Sequence, residues 1–231
     1  RSTSLSRGRT TSPMNSLANS LWVKLICGAS NSDLPLIRNT CYIYSSAGVD
    51  CIDVSADSAV VLAAQEAVDA SIRDGRRERD TMPYIMISVN DDEDPHFRKA
   101  RFDPGKCPAD CPRPCEKVCP ASAIPPLASS GSLSSLNAKN GVLPERCYGC
   151  GRCVPICPLG LVETESFLTD REVIHDLFEP KAGERRGVDA IEVHTHHGNR
   201  EHFAKLWQDI GQTVLSNAKV IAVSFPSMCH M

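Results

Sequence analysis

Aromatic residues make up only 5% of this 231-residue chain, and no apolar run approaches the roughly 18 residues of a membrane span. Neither a G-x-G-x-x-G nor a G-x-x-x-x-G-K phosphate loop occurs, so a classical nucleotide site has no support. Scarce aromatics and a net charge of −3 argue against nucleic acid as the main partner. Nothing near the N-terminus reads as a secretory signal, so the twelve cysteines do not imply a disulfide scaffold. Residues 1–20 contain no Asp or Glu, are rich in Ser and Thr, and carry Arg1, Arg7 and Arg9. Two readings fit that stretch, the end of an organellar transit peptide or a disordered tail, and either places it outside the fold. A first residue other than Met is expected of a fragment or a processed chain. With 42% hydrophobic residues, the remainder is long enough for one sizeable core plus a small module.

What is present in abundance is cysteine in two clusters. The second reads Cys147-Tyr148-Gly149-Cys150-Gly151-Arg152-Cys153-Val154-Pro155-Ile156-Cys157-Pro158, the C-x2-C-x2-C-x3-C-P run of bacterial-type ferredoxins. The first, Cys107 to Pro120, is a looser C-x3-C-x3-C-x3-C-P with the same closing Cys-Pro. In such ferredoxins the fourth cysteine of a run ligates the other cluster. On that rule one [4Fe-4S] cluster takes Cys147, Cys150, Cys153 and Cys119, and the other takes Cys107, Cys111, Cys115 and Cys157. Each cluster then ties the two halves of the segment together. Gly149 and Gly151 suit a tight loop that brings amide N–H groups near sulfur. After each Cys-Pro the chain turns apolar, Ala121–Ile124 and Leu159–Val162, as a helix or strand packing over a cluster would require. The resemblance is to the two-cluster ferredoxin fold over about residues 102–166. The three-residue spacings of the first run leave its cluster open to being labile or of the [3Fe-4S] type. Structural zinc uses pairs of C-x2-C across a spacer, which these nested runs fit badly. Of the other cysteines, Cys27, Cys41, Cys51 and Cys229, the first and third lie in apolar strand-like runs and read as buried structural thiols.

Around this segment the chain reads as parallel βα units. Leu21–Cys27 predicts a strand buried on both faces. Leu34, Ile37, Cys41, Tyr44 and Ala47 fall at helical spacing, with Gly48 ending the helix. Cys51–Val54 is the next strand, and Asp57 or Ser58 caps a helix to about Ile72 whose stripe is Val60, Val61, Ala64, Ala67 and Val68. The charged stretch 74–80 reads as a solvated connection, and Tyr84–Val89 as a third strand. Ser129–Asn140 is a low-complexity linker between the cysteine runs. The pattern returns with a strand at Ala190–His194, a helix from Arg200 to Leu215 capped by Asn199 with stripe Phe203, Leu206, Trp207, Ile210 and Val214, and a strand at Val220–Ser224. Gly48-Val49-Asp50-Cys51-Ile52-Asp53-Val54 echoes Gly187-Val188-Asp189-Ala190-Ile191-Glu192-Val193, leaving Asp53 and Glu192 near strand C-terminal ends. Recurring βα units with strand-end acids predict a partial, TIM-barrel-like layer with a ferredoxin-like insertion. Five strands leave two versions, a barrel truncated at Met231 or an open α/β sheet. The expected divisions are 1–20, 21–101, 102–166 and 167–231.

Taken together, Trp22–Ser30, Ala47–Ala56, the two cysteine runs and Gly187–Thr195 resemble the light-dependent period proteins of cyanobacteria and their plastid relatives, over about residues 21–225. The resemblance implies an iron–sulfur protein that reports cellular redox state and feeds light information to a circadian clock, in cyanobacterial cytoplasm or plastid stroma. It further implies a ferredoxin or quinone-linked redox partner and regulatory proteins, and relatives that continue beyond Met231. The rival from the residues themselves is a flavin-dependent barrel oxidoreductase fed with electrons by the clusters. Its candidates are Asp53, Glu192, His194, His196 and His197, with the turn Ser30-Asn31-Ser32. Against it, the histidines read better as a satisfied polar loop, and the two acids as helix caps or amide acceptors. A plain electron carrier is the third reading.

Overall fold

The computed structural model describes residues 11–77, 81–126, 141–144, 146–180, 186–196 and 200–225. Five parallel strands, β1 (Lys24–Ile26), β2 (Cys51–Ser55), β3 (Tyr84–Asn90), β6 (Ala190–His194) and β7 (Val220–Ser224), lie side by side in that order. Because each new strand joins the same edge and each crossover is right-handed, every connecting helix must fall on one face. The sheet is accordingly a curled half-barrel with one helical layer. That layer holds α2 (Leu34–Ser46), α3 (Ser58–Arg73), α6 (Arg171–Phe178) and α7 (Arg200–Asn217). Alternation along the strands sends Ile52, Val54, Ile85, Ile87, Val89, Ile191 and Val193 to the helical side. There they meet Ile37 and Cys41 of α2, the α3 stripe, and Leu206, Ile210 and Val214 of α7.

Local chemistry sets the boundaries. Asp33 and Asp57 cap α2 and α3, the Asp57 carboxylate accepting the amides of Ala59 and Val60 at 2.8 and 3.0 Å. The Gly-Val-Asp repeat has a structural meaning of its own. Asp50 accepts the Val23 amide at 2.9 Å and Asp189 the Ile85 amide at 3.0 Å, so each carboxylate caps the start of the neighbouring strand. Val49 and Val188 are buried beside them.

Several expectations are corrected. β1 is three residues long and, among the described residues, has a neighbour on one side only; Leu21, Val23 and Ile26 are 46%, 39% and 65% exposed, so this is an edge strand, not one buried on both faces. Tyr44 is exposed, and Ser45 takes its place on the buried side of α2, where its hydroxyl meets that of Ser71 at 2.7 Å. Arg77 is no solvated connector: its guanidinium donates to the carbonyls of Thr81, Ser45 and Val49 at 2.6, 2.7 and 3.1 Å. Phe203 and Trp207 stack on each other at the margin of the α7 stripe, only partly buried. Residues 11–20, left out of the fold on composition, include α1 (Pro13–Ala18), capped by Ser12, and the Thr81 hydroxyl donates to the Thr11 carbonyl at 3.1 Å. The Ser129–Asn140 linker, His197, Asn199 and Cys229 lie outside the described residues.

Between β3 and β6 the cysteine segment is closed by an antiparallel pair that the sequence reading missed, β4 (Arg98–Arg101) with β5 (Glu163–Ser166). Two short helices, α4 (Pro114–Val118) and α5 (Cys153–Ile156), pack together inside it.

Candidate metal centre

The two cysteine runs fold alike. In each, a short helix ends on its last cysteine, Cys119 after α4 and Cys157 after α5, with that cysteine's amide bonded back to Glu116 or Val154. The following Cys-Pro turn then returns an amide four residues on to the same sulfur. Ala123 N–H donates to Cys119 Sγ at 3.2 Å, and Leu161 N–H to Cys157 Sγ at 3.4 Å. A third such contact, Ala100 N–H to Cys147 Sγ at 3.3 Å, comes from β4. The segments after Cys-Pro are therefore turns, not the expected helix or strand, and their apolar residues Ala123, Ile124 and Val162 are buried under the sulfurs. Amides aimed at sulfur stabilise thiolates and tune whatever these bind.

The thiols fall into two neighbourhoods. Cys153 lies within electrostatic reach of Cys147, Cys150 and Cys119, and these four share the lining of one small hollow with Ala100 and Val142. Cys115 lies within reach of Cys157, and Cys107 within reach of Cys111 and Cys115. Burial pushes the Cys153 thiol up to about 11, with neighbouring thiols adding to the effect. Burial and then Cys111 raise Cys107, and burial raises Cys115, each opposed by the Arg113 guanidinium. At Cys157 burial acts in the same direction, but the amides of Leu159, Leu161, Val162 and Gly160 outweigh it and leave that thiol below its ordinary value. Arg113 itself is held by Glu116 and the Pro125 carbonyl, both at 2.8 Å.

Among the described residues no three His, Cys, Asp or Glu side chains converge tightly enough to hold a single metal ion. A tetrahedral zinc with Zn–S near 2.3 Å needs sulfurs roughly 3.8 Å apart. Ligands at the corners of an iron–sulfur cube each bind a different iron and stand farther apart, so this donor set, all thiol and fed by backbone amides, suits a cluster.

Gly149 shows why the loop needs glycine. Its φ is +73°, and a Cβ there would meet the Arg98 carbonyl oxygen at 2.1 Å, so the cysteine loop lies directly on the chain leaving the half-barrel.

On the concave face of the sheet, Asp53 and Glu192 do come together, but at mid-strand and not at strand ends. Lys24 bridges them, 3.3 Å from Asp53 and bonded to Glu192, while Ser88 donates to Asp53 at 2.8 Å. Burial raises the Asp53 carboxyl to about 7 against the pull of Lys24, and burial at Glu192 is outweighed by its bond from Lys24, which lowers it. Burial also opposes the Lys24 charge, yet the two acids hold its ammonium above the ordinary value. Asp53 does not cap the helix that follows it; Asp57 caps α3. At the strand ends, His194 packs edge-on against Phe97 and His96, and burial lowers it. His196 lies 3.8 Å from Asp94.

The turn Ser30-Asn31-Ser32 is part of a cavity of about 850 Å³ between the C-terminal ends of β1 and β2 and the cysteine module. Lys99, which donates to Ser32 at 3.2 Å and to the Pro144 carbonyl at 2.6 Å, and Ala100, which carries the amide bonded to Cys147, form its far wall. The sequence singled out only its Ser30–Ser32 wall, because its walls come from five separate segments.

Comparison with known proteins agrees with the cysteine geometry. Residues 107–168 match the model of the LdpA Fe-S cluster-binding domain, and residues 184–231 that of the Light dependent period A C-terminal domain. The chain is 44% identical over 216 residues to "Light dependent period A" of Synechococcus elongatus, which spans 93% of this chain and 55% of that protein. The chain thus spans about half the length of the curated relative it matches. No solved structure matches. No helix among the described residues is long and apolar enough to cross a membrane. The two domain matches and the 44% identity over 93% of its length place the chain among the light dependent period A-like proteins, with an iron–sulfur cluster-binding domain.

Proposed function

We propose that this chain is a redox-responsive regulatory protein carrying two [4Fe-4S] clusters, one held by Cys147, Cys150, Cys153 and Cys119, the other by Cys107, Cys111, Cys115 and Cys157. The observation that carries this reading is the grouping of the thiols: each last cysteine keeps electrostatic company with the opposite run, Cys119 with Cys153 and Cys157 with Cys115. Bound clusters supply one-electron chemistry at a potential set by the amides on Cys119, Cys147 and Cys157 and by the nearby Arg113 charge. Because each set of thiols spans both runs, a change of charge or ligation at one set acts on both loops together. The Cys150–Gly151 loop then transmits it to the half-barrel through Gly149, which touches Arg98. The output is a light- or redox-dependent contact with a partner of a timing process in a cyanobacterial or plastid setting, with a ferredoxin or quinone-linked donor on the input side.

Iron and acid-labile sulfide analysis with electron paramagnetic resonance tests the cofactor: about eight irons per chain support two cubes, and about four exclude one of them. Partner capture by the oxidised and the dithionite-reduced protein tests the signalling step; equal capture by both forms refutes it.

The 850 Å³ cavity favours a second reading, an oxidoreductase with a flavin held between the module and the half-barrel. Its size is within the range of cofactor sites, and Ala100 joins its wall to a cluster thiol. Flavin absorbance retained through anaerobic purification decides for it, and its absence on added flavin decides against it.

A further inference from the structure

Four cysteines take no part in the site above, and two of these face each other. Cys27, at the C-terminal end of β1, points to the helical side of the sheet, and Cys41 is on the inner face of α2; their sulfurs are 3.9 Å apart. Both are free thiols, Cys41 fully buried and Cys27 half-buried. A disulfide requires the sulfurs to close to roughly 2 Å, a movement that a strand end followed by Gly28 can absorb. Gly28 has a φ of +100° and starts the turn that lines the large cavity. That turn is bonded back to Cys27, Asn31 Nδ2 donating to the Cys27 carbonyl at 3.1 Å. Its other side meets the cysteine module: Ser32 accepts from Lys99, and the Ser30 hydroxyl stands 3.7 Å from where a Cβ on Gly149 would be.

We propose that Cys27 and Cys41 form a reversible disulfide, a second redox-sensitive site that draws the β1–α2 turn toward α2 and alters its contact with the iron–sulfur module. The oxidant is a low-molecular-weight disulfide. Cys27, the less buried of the two, loses its proton and attacks one sulfur of the oxidant, releasing one small thiol and leaving a mixed disulfide. Cys41 then displaces the second small thiol, so that two protein thiols and one disulfide become one protein disulfide and two small thiols. The hydrogen bond with Cys27 and then burial hold the Cys41 thiol above its ordinary value, which makes it the slower, resolving partner. The pair needs no iron, so this site stands apart from the proposed clusters.

The test is differential alkylation and peptide mapping of the full chain, iron-loaded and iron-free, after treatment with glutathione disulfide. The expected result is a link between the tryptic peptides 25–38 and 39–73 as the main form, reversed by dithiothreitol, with fragment ions placing it on Cys41. Cys51, fully buried on the opposite face of the sheet, shares the second peptide and is the internal control. Cys27→Ser and Cys41→Ser each abolish the link. Hydrogen exchange at residues 28–33 and 98–101 is expected to change on oxidation in the wild type and in neither variant. Free Cys27 and Cys41 after full exposure to oxidant, a stable mixed disulfide on Cys27 alone, or a link to Cys51 overturns the assignment. A link with unchanged exchange at 28–33 and 98–101 overturns the coupling to the module.

Discussion

The half-barrel and the cysteine module belong to one chain but are held together by different physics. Among the described residues, 23 buried side chains on the helical side of the sheet form one continuous core, almost all of it aliphatic. The module's core has nine among its described residues, and three of these are Cys115, Cys147 and Cys153. A segment that small does not bury enough apolar surface to order itself, and in such segments a metal group supplies what the core lacks. The half-barrel is stable by burial; on the proposed ligation the module would rest on its clusters as well as on the antiparallel clasp of β4 and β5 at its ends.

Removing iron is the severest way to separate the two. On chelation, hydrogen exchange should rise steeply across residues 102–126 and 141–166, while the amides of β2, α3 and β3 stay protected. Equal loss in both regions would show that the comparison is misconceived. Single ligand changes come next. If the last cysteines are exchanged, Cys119→Ser and Cys153→Ser remove the same resonance signal and take iron from about eight to about four per chain. Cys157→Ser and Cys115→Ser should remove the other signal. A shared signal for Cys119 and Cys115 would mean that each run keeps its own cluster.

The half-barrel should answer to the opposite treatment. Ile52→Ala or Ile87→Ala, each at a fully buried position, is expected to cost about 2–5 kcal/mol in urea unfolding with iron content unchanged. At the seam, Gly149→Ala forces a Cβ onto the Arg98 carbonyl and should cost at least about 1 kcal/mol, read as a lower thermal midpoint for the module.

The remaining test is a pH dependence in the half-barrel alone. Asp53 ionises near 3.8 when unfolded and near 7 when folded, so the folded state holds the extra proton between those values. The stability this group contributes is therefore full below about 3.8 and is lost as pH rises to about 7. Glu192 is displaced downward, so its contribution is lost only as pH falls below its ordinary 4.5 and is constant above it. Between pH 4.5 and 7 Asp53 lowers the urea midpoint as pH rises while His194, held below its ordinary value, raises it, so the Asp53 part is read as the difference between wild type and Asp53→Asn, whose midpoint should fall less or rise over that range. A steeper decline in the variant would remove the concave acid pair from the account.

Much of this was legible in advance, for local reasons. Cysteine spacing, Cys-Pro ends and glycine loops are short-range features, and so are the caps at Asp57 and the buried stripes of α3 and α7. The Gly-Val-Asp echo was visible too, but its weight fell on Asp53 and Glu192, while Asp50 and Asp189 do the structural work of capping adjacent strands. That role depends on which strand lies alongside, and a single stretch of sequence does not say.

The sequence by itself determined that eight thiols come in two Cys-Pro runs and that βα units surround them, because both follow from spacing and periodicity within a few residues. Only the tertiary structure decided that β1 is an exposed edge and that Lys24 stands between two acids 29 and 168 residues away in sequence. It alone set Cys27 beside Cys41 and opened a cavity at the junction of two regions. Each of these is a meeting of distant segments, fixed by how sheet and helices pack and not by any residue's immediate neighbours.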